Sequence, residues 1–264
     1  MPGKYIVIGG GGKVALKFAS SAVKQGSKVI SVVRNDSHND EITAVGAKPY
    51  ILSLEDASVK DFVELFDKEK PDGVVFSAGA GGKGGEERTK AVDYEGALKV
   101  FDALESSNTH RIVMVSAADL RGMFQEHSQN ACEPSHKSYY LDPSNGYPSY
   151  YNEASRQLSD RMYKAIPTYM KWKREADLDL HRRKALQYTI IRPGGLVDEP
   201  TNGKCELGTP QLGRVPRETV GEVLLAVMEN KSTYGMVLDL MEGDMEITKA
   251  VENAVEKGLS SWHD

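Results

Sequence analysis

Tyr5-Ile6-Val7-Ile8-Gly9-Gly10-Gly11-Gly12-Lys13-Val14-Ala15 is the stretch that decides the fold. A short apolar run ends in four glycines. Then Val14, Ala15, Phe18, Ala19, Ala22 and Val23 recur at helical spacing, until Gly26 stops the helix. The turn has the spacing G-x-x-G-x-x-A and lies between a strand and a helix, where a dinucleotide pyrophosphate rests on a helix N-terminus. Gly9 permits the tight turn. Gly12 lets the backbone approach the phosphates, and Ala15 is small enough for close helix–sheet packing. Gly11, Lys13 and Val14 complete the loop positions expected around the phosphates. Lys13 either adds positive charge there or is an exposed lysine of the first helical turn.

The second apolar run, Lys28 to Val33, ends in Arg34-Asn35-Asp36. An acidic residue at this point accepts from a ribose 2′-hydroxyl, whereas an arginine suits a 2′-phosphate. Arg34 therefore favours NADP(H). Asp36 keeps NAD(H) open.

Further runs follow at tight spacing. Lys48 to Leu52, Val74 to Phe76, Arg111 to Val115, Tyr188 to Ile191 and Met236 to Leu240 read as strands. Asp40 to Val45, Val59 to Phe66, Ala91 to Leu104, Ala154 to Tyr163, Met170 to Lys184 and Val220 to Met228 read as helices. Wholly apolar strands alternating with helices predict a parallel sheet covered on both faces. The expected fold is α/β: a Rossmann-type doubly wound parallel sheet in one domain over residues 1–264. About 70 residues separate the fifth strand from the sixth, which predicts an insertion at about 122–167. A small C-terminal cap over about 196–264 is expected to hold the substrate region.

Composition narrows the function. Of 264 residues, 27% are charged and 40% hydrophobic, as in an ordinary globular chain. The 33 basic and 38 acidic residues give a net charge of −5, which speaks against a nucleic-acid partner. No apolar run approaches the roughly 20 residues of a membrane span. The N-terminus enters the first strand at once, so no signal peptide is expected. Cys132 and Cys205 make neither a disulfide framework nor a zinc site, and a cytoplasmic location is expected. His110, His127, His136 and His181 lack metal-ligand spacing, so no metal is expected. Seven of the 12 tyrosines lie between Tyr139 and Tyr169. They suit packing of the insertion or a lid over a substrate site.

Several segments together resemble the atypical short-chain dehydrogenase/reductase superfamily, in its branch of NmrA-like, small NAD(P)H-binding Rossmann proteins. They are Ile6 to Ala15, Val32 to Asn35, Ser53 to Ser58, Val74 to Gly84, Val92 to Val100, Arg111 to Ala117, Tyr169 to Asp177 and Tyr188 to Leu196. The resemblance implies that Ser53 and Leu54 lie against the adenine. It places Ser77, Ala78 and Gly79 along the ribose and the route to the nicotinamide. Pro193, Gly194 and Leu196 would pass beside the nicotinamide ring. It further implies a Ser/Tyr/Lys constellation. Tyr169 and Lys173 supply the Y-x-x-x-K spacing, which puts both side chains on one helix face. There the lysine would hold the ribose and depress the phenol pKa, so that the tyrosine can exchange a proton. Ser116 is the candidate serine, although in typical relatives the acting hydroxyl stands about two residues on, where this chain has Ala118. Ser116 also reads as a packing residue.

Two functions follow. One is a reductase passing hydride from NADPH to a small carbonyl, quinone or flavin-like acceptor. The other is a non-catalytic NADP(H) sensor acting through a protein partner. A monomer is favoured, because the insertion would cover the helices that related tetramers use.

Overall fold

A computed structural model describes residues 2–81, 85–120 and 146–261. Ten strands and nine α-helices are present among them. In chain order the elements are β1 (Lys4–Ile8), α1 (Lys13–Lys24), β2 (Lys28–Val33), α2 (Asn39–Ala44), β3 (Lys48–Ile51), α3 (Val59–Glu69) and β4 (Gly73–Phe76). Then come α4 (Gly85–Thr89), a π-helical stretch Lys90–Glu95, α5 (Gly96–Glu105), β5 (Arg111–Val115), α6 (Glu153–Ala165), α7 (Pro167–Arg182) and β6 (Gln187–Pro193). The chain ends with β7 (Gly195–Val197), β8 (Lys204–Gly208), β9 (Arg214–Pro216), α8 (Arg217–Glu229), β10 (Met236–Glu246) and α9 (Ile247–Glu256).

The main sheet has the order β3-β2-β1-β4-β5-β6-β10-β8. Its first seven strands are parallel, with Ile6 opposite Ile30 on one side and Val74 on the other, and Ile190 opposite Val237. Only β8 runs antiparallel, against β10. The order reverses between β1 and β4, and ligands of open α/β sheets bind at such a switch point, beyond the carboxyl ends of the strands.

Alternate residues of each central strand face different layers. Val7, Val113 and Ile191 pack with Phe18 of α1 and Val223 and Leu224 of α8. Ile6, Ile112 and Ile190 pack with Phe62 of α3, Phe101 of α5 and Leu180 of α7. Because both faces are covered, the strands are apolar throughout, and their period is that of a buried parallel sheet. Where Ser58 and Asp61 cap α3 reciprocally, the local sequence marks the boundary.

The C-terminal region departs from the expected cap. β8 and β10 extend the main sheet and α8 packs on α1, so these residues belong to the body of the fold. Only β7 and β9 stand apart, as a two-stranded parallel sheet. Lys204–Gly208 alternates the charged Lys204 and Glu206 with the buried Cys205 and Leu207, and is too short to announce a strand; its pairing with β10 makes it one. Of the expected insertion, residues 122–145 lie outside those described, and with them Tyr139, Tyr140, Cys132, His127 and His136. Its described end is α6, and α7 supplies the helical crossover that a parallel β5–β6 pair requires. No helix among the described residues is long and apolar enough to cross a membrane.

Candidate active site

The glycine turn forms one wall of a cleft of about 280 Å³ at the switch point. Gly9 has φ +80°, and a side chain there would run into the backbone of Ala78 at 2.6 Å. Left-handed backbone and close approach both demand glycine. The turn is closed by the Gly12 amide donating to the Gly9 carbonyl at 3.0 Å, and Gly12 is the N-cap of α1. The first amides of α1 thus lack intrahelical partners and face the position of an anion. This backbone cradle, built from the glycine turn and the first amides of α1, fits a pyrophosphate.

Of the expected binding residues, Gly9, Gly11, Gly12, Arg34, Leu54, Ser77, Ala78 and Gly79 line this cleft together. Others are placed differently. Val14 is buried in the core. Lys13 extends its ammonium to Asp198 at 2.7 Å, and both side chains are exposed. The Ser53 hydroxyl accepts from the Asp56 amide at 3.3 Å and shapes the turn after β3. Glu55 and Arg88 were not anticipated, yet both line the cleft beside Arg34.

A second group lies at the ends of β5 and β6. Ser116 is buried there, its amide donating to Ile191 O at 2.7 Å and its hydroxyl without a hydrogen-bond partner. Ala118 donates to Pro193 O at 3.0 Å. Gly194 is wedged between the Met241 sulfur and the carbonyl of Gly213, and a side chain would collide with both. Leu196 is one of the few exposed large apolar residues.

Tyr169, Lys173 and Asp177 recur every fourth residue along α7, so they share one face. Lys173 is buried. Its Nζ donates to Val115 O at 2.8 Å and lies 3.7 Å from Oδ1 of Asp93 and 6.0 Å from the centre of the Tyr169 ring. Burial works against the charged ammonium, but Tyr169, Asp93 and Asp177 outweigh it and raise its pKa. Burial likewise pushes the Tyr169 phenol up, with Lys173 pulling in the opposite direction.

Asp93 was not singled out in the sequence. It sits fully buried in the π-helical stretch, where its Oδ2 accepts from the Ala80 amide at 2.9 Å. One carboxylate therefore ties the loop after β4 to the α7 lysine. The widened π turn re-aims a residue without breaking the helix, a device found often at functional sites. The signal was an aspartate in an otherwise apolar helical stripe.

The same buried layer continues past Asp177, whose Oδ2 accepts from Arg192 Nε at 2.8 Å. Asp239 lies beyond, and burial pushes its carboxyl up to about 7 against the pull of Arg192. Asp239, Arg192, Tyr151 and Asp119 border a cavity of about 10 Å³. Asp119 has φ +62°, a left-handed backbone uncommon outside glycine that aspartate adopts more readily than most residues. The Tyr151 hydroxyl, Asp177 Oδ1 and Asp239 Oδ1 are buried without hydrogen-bond partners.

Comparison with known proteins agrees with this arrangement. The model of an NAD(P)H-binding family matches residues 9–231. The UPF0659 protein C216.03 of Schizosaccharomyces pombe is 39% identical over 98% of this chain and 97% of its own. Among solved structures, a Bacillus halodurans protein bearing the name of an NAD-dependent epimerase/dehydratase superposes with a TM-score of 0.74 at 27% identity, over 95% of this chain and 99% of that one. A short-chain dehydrogenase/reductase of Veillonella parvula, solved with NADP, shares the fold with a TM-score of 0.65 at 15% identity, over 93% and 97%. A family model matched from the first turn onward, and a fungal relative matched almost end to end, leave one assignment: the chain belongs to the NAD(P)H-binding family.

Proposed function

We propose that the protein is an NADPH-dependent reductase of a small carbonyl, quinone or flavin-like acceptor, with NADP(H) preferred to NAD(H). The observation that carries this reading is the Tyr169–Lys173 pair, with its ammonium held between Val115 O and Asp93. A bound nicotinamide supplies the hydride; the chain supplies binding, orientation and a proton. The glycine turn and the start of α1 hold the pyrophosphate, and Arg34 meets the adenosine ribose. Tyr169 has its phenol pKa raised, so at neutral pH it keeps the proton it would donate to an acceptor oxygen. Lys173 stabilises the phenolate that donation leaves behind. Ser116, at the end of β5, offers a hydroxyl with no other hydrogen bond.

The test is purified protein, NADPH and a panel of aldehydes, quinones and flavins, followed at 340 nm. Tyr169→Phe should lower turnover by roughly 10²- to 10⁴-fold and leave NADPH affinity unchanged. Gly12→Glu should abolish NADPH binding by blocking the pyrophosphate. Tight NADPH binding with no acceptor reduced, and no effect of Tyr169→Phe, would overturn the reductase in favour of an NADP(H) sensor.

A further inference from the structure

Arg34 does not reach into the cleft alone. Its Nη1 lies 3.2 Å from Oε2 of Glu55, and Nε of Arg88 lies 3.4 Å from Oε1 of the same carboxylate. Each carboxylate oxygen thus takes one guanidinium. The three residues come from different elements: the end of β2, the turn after β3, and α4. All three line the dinucleotide cleft. The Glu55 backbone is fixed from behind, because Lys99 of α5 donates to the carbonyls of Leu54 at 3.2 Å and Glu55 at 3.0 Å. The side chain is held by the two arginines, and it is only partly exposed, at 31%.

Two guanidiniums converging on one small anion make a phosphate clamp in which a carboxylate stands. A phosphate monoester carries close to two negative charges and three acceptor oxygens, against one charge and two oxygens for Glu55. It outcompetes the carboxylate for the two arginines, and it repels the carboxylate once it is in place. A ligand ending in a bare 2′-hydroxyl offers the arginines only a neutral acceptor, and can donate a hydrogen bond to Glu55.

We propose that Glu55 is a specificity-determining residue of the dinucleotide site: it holds Arg34 and Arg88 as a ready clamp for an adenosine 2′-phosphate and sets how strongly that phosphate is preferred. The inference rests on the NADP(H) reading above and extends it. Removing the carboxylate's charge frees the clamp without removing either cation. Glu55→Gln therefore raises affinity for 2′-phosphorylated ligands and does not raise it for their unphosphorylated counterparts. Arg88→Gln has the opposite effect on the phosphorylated ligands.

The experiment is calorimetric titration of the full chain with NADPH, NADH, adenosine 2′,5′-bisphosphate and AMP. It compares the parent, Glu55→Gln, Arg88→Gln and Arg34→Ala, each checked for a native unfolding transition. The expected result is about tenfold tighter binding of NADPH and the bisphosphate by Glu55→Gln. NADH and AMP should be unchanged or weaker. Arg88→Gln should weaken NADPH and the bisphosphate by about tenfold and leave NADH alone. If Arg34→Ala weakens NADPH selectively while the Glu55 and Arg88 variants bind like the parent, the clamp is overturned and the NADP(H) reading stands. If the parent binds NADH as tightly as NADPH and Arg34→Ala moves neither, that reading falls and the clamp with it.

Discussion

Two arginines are buried in the sheet, one at each end. Arg111 opens β5 at the amino edge and Arg192 lies near the end of β6 at the carboxyl edge. Arg111 is held by neutral acceptors. Its Nη1 donates to Gln187 O at 2.9 Å and the Thr189 hydroxyl at 2.8 Å, and its Nη2 to Val227 O at 2.6 Å and the Thr233 hydroxyl at 3.3 Å. Val227 lies in the last turn of α8, where carbonyls are left over and the helix dipole is negative. Among the described residues no carboxylate pairs with Arg111, and burial lowers the guanidinium pKa to about 10. Arg192 instead stands among carboxylates, paired with Asp177 and facing Asp239. There the buried acids outnumber the cation, and some of their oxygens make no hydrogen bond. The amino edge is a neutral polar anchor, in which Nε alone of the Arg111 guanidinium nitrogens lacks a hydrogen-bond partner. At the carboxyl edge the unused capacity is that of acceptors, carboxylate oxygens of Asp177 and Asp239, and that is the edge at which a doubly wound sheet does its chemistry.

The largest effect follows from removing each cation. Arg192→Met leaves Asp177 a buried charge without its partner, which costs about 3–5 kcal/mol and roughly 10 °C in Tm. Arg111→Met leaves only neutral carbonyls and hydroxyls, at about 1–3 kcal/mol. Urea unfolding of the two variants should rank them in that order. Adding Asp177→Leu to Arg192→Met should restore part of the loss, because the orphaned charge goes with it. Equal losses at the two arginines would mean that the carboxylates at Arg192 are not ionised, and the contrast between the edges would collapse.

This contrast also marks how far the sequence could be read. The glycine turn, Arg34 and the strand order are local or periodic features: a turn needing φ above zero, a residue ending a strand, an apolar run between helices. The carboxyl-edge layer is different. Asp93, Asp177, Arg192 and Asp239 come from four elements, and nothing in their immediate neighbours shows that they meet. Only Asp177 follows from a spacing, four residues after Lys173. Glu55 and Arg88 are 33 residues apart and converge only through tertiary folding, Glu55 in the turn after β3 and Arg88 in α4. The π-helical turn that aims Asp93 has no sequence signature, because its apolar stripe reads as an ordinary helix.

A smaller effect tests the protonation of that layer. Asp239 has its pKa raised from an ordinary value near 3.8 to about 7. The folded state then keeps a proton that the unfolded chain releases. Stability contributed by this group is complete below about pH 4 and is lost as pH rises towards 7. Asp239→Asn removes that dependence. At pH 8 it should raise Tm by about 5 °C; the gain should narrow through pH 6 and vanish near pH 4. Arg192, Asp119, Asp177 and Tyr151 face the group in both proteins, so the difference between the two curves isolates position 239. A loss of Tm at pH 8 that fades as pH falls would show instead that Asp239 is ionised in the folded state and stabilised by Arg192.

The smallest effect is expected where the sequence pointed to a phosphate contact and the fold offers another partner. Lys13 opens α1 at the mouth of the cleft, but its ammonium is on Asp198, which also takes Arg217 at 2.8 Å. This pair is exposed, so salt screens it and holding two long side chains in one geometry offsets its attraction. Lys13→Ala should leave Tm unchanged within about 1 °C. It should also change NADPH affinity by less than about threefold at 0.15 M salt. The pyrophosphate is held by backbone amides and the end of α1, which the substitution does not touch. A loss of tenfold or more would show that Lys13 exchanges Asp198 for the phosphates when nucleotide binds. In that case dinucleotide binding would release Asp198 and, through Arg217, be coupled to the start of α8.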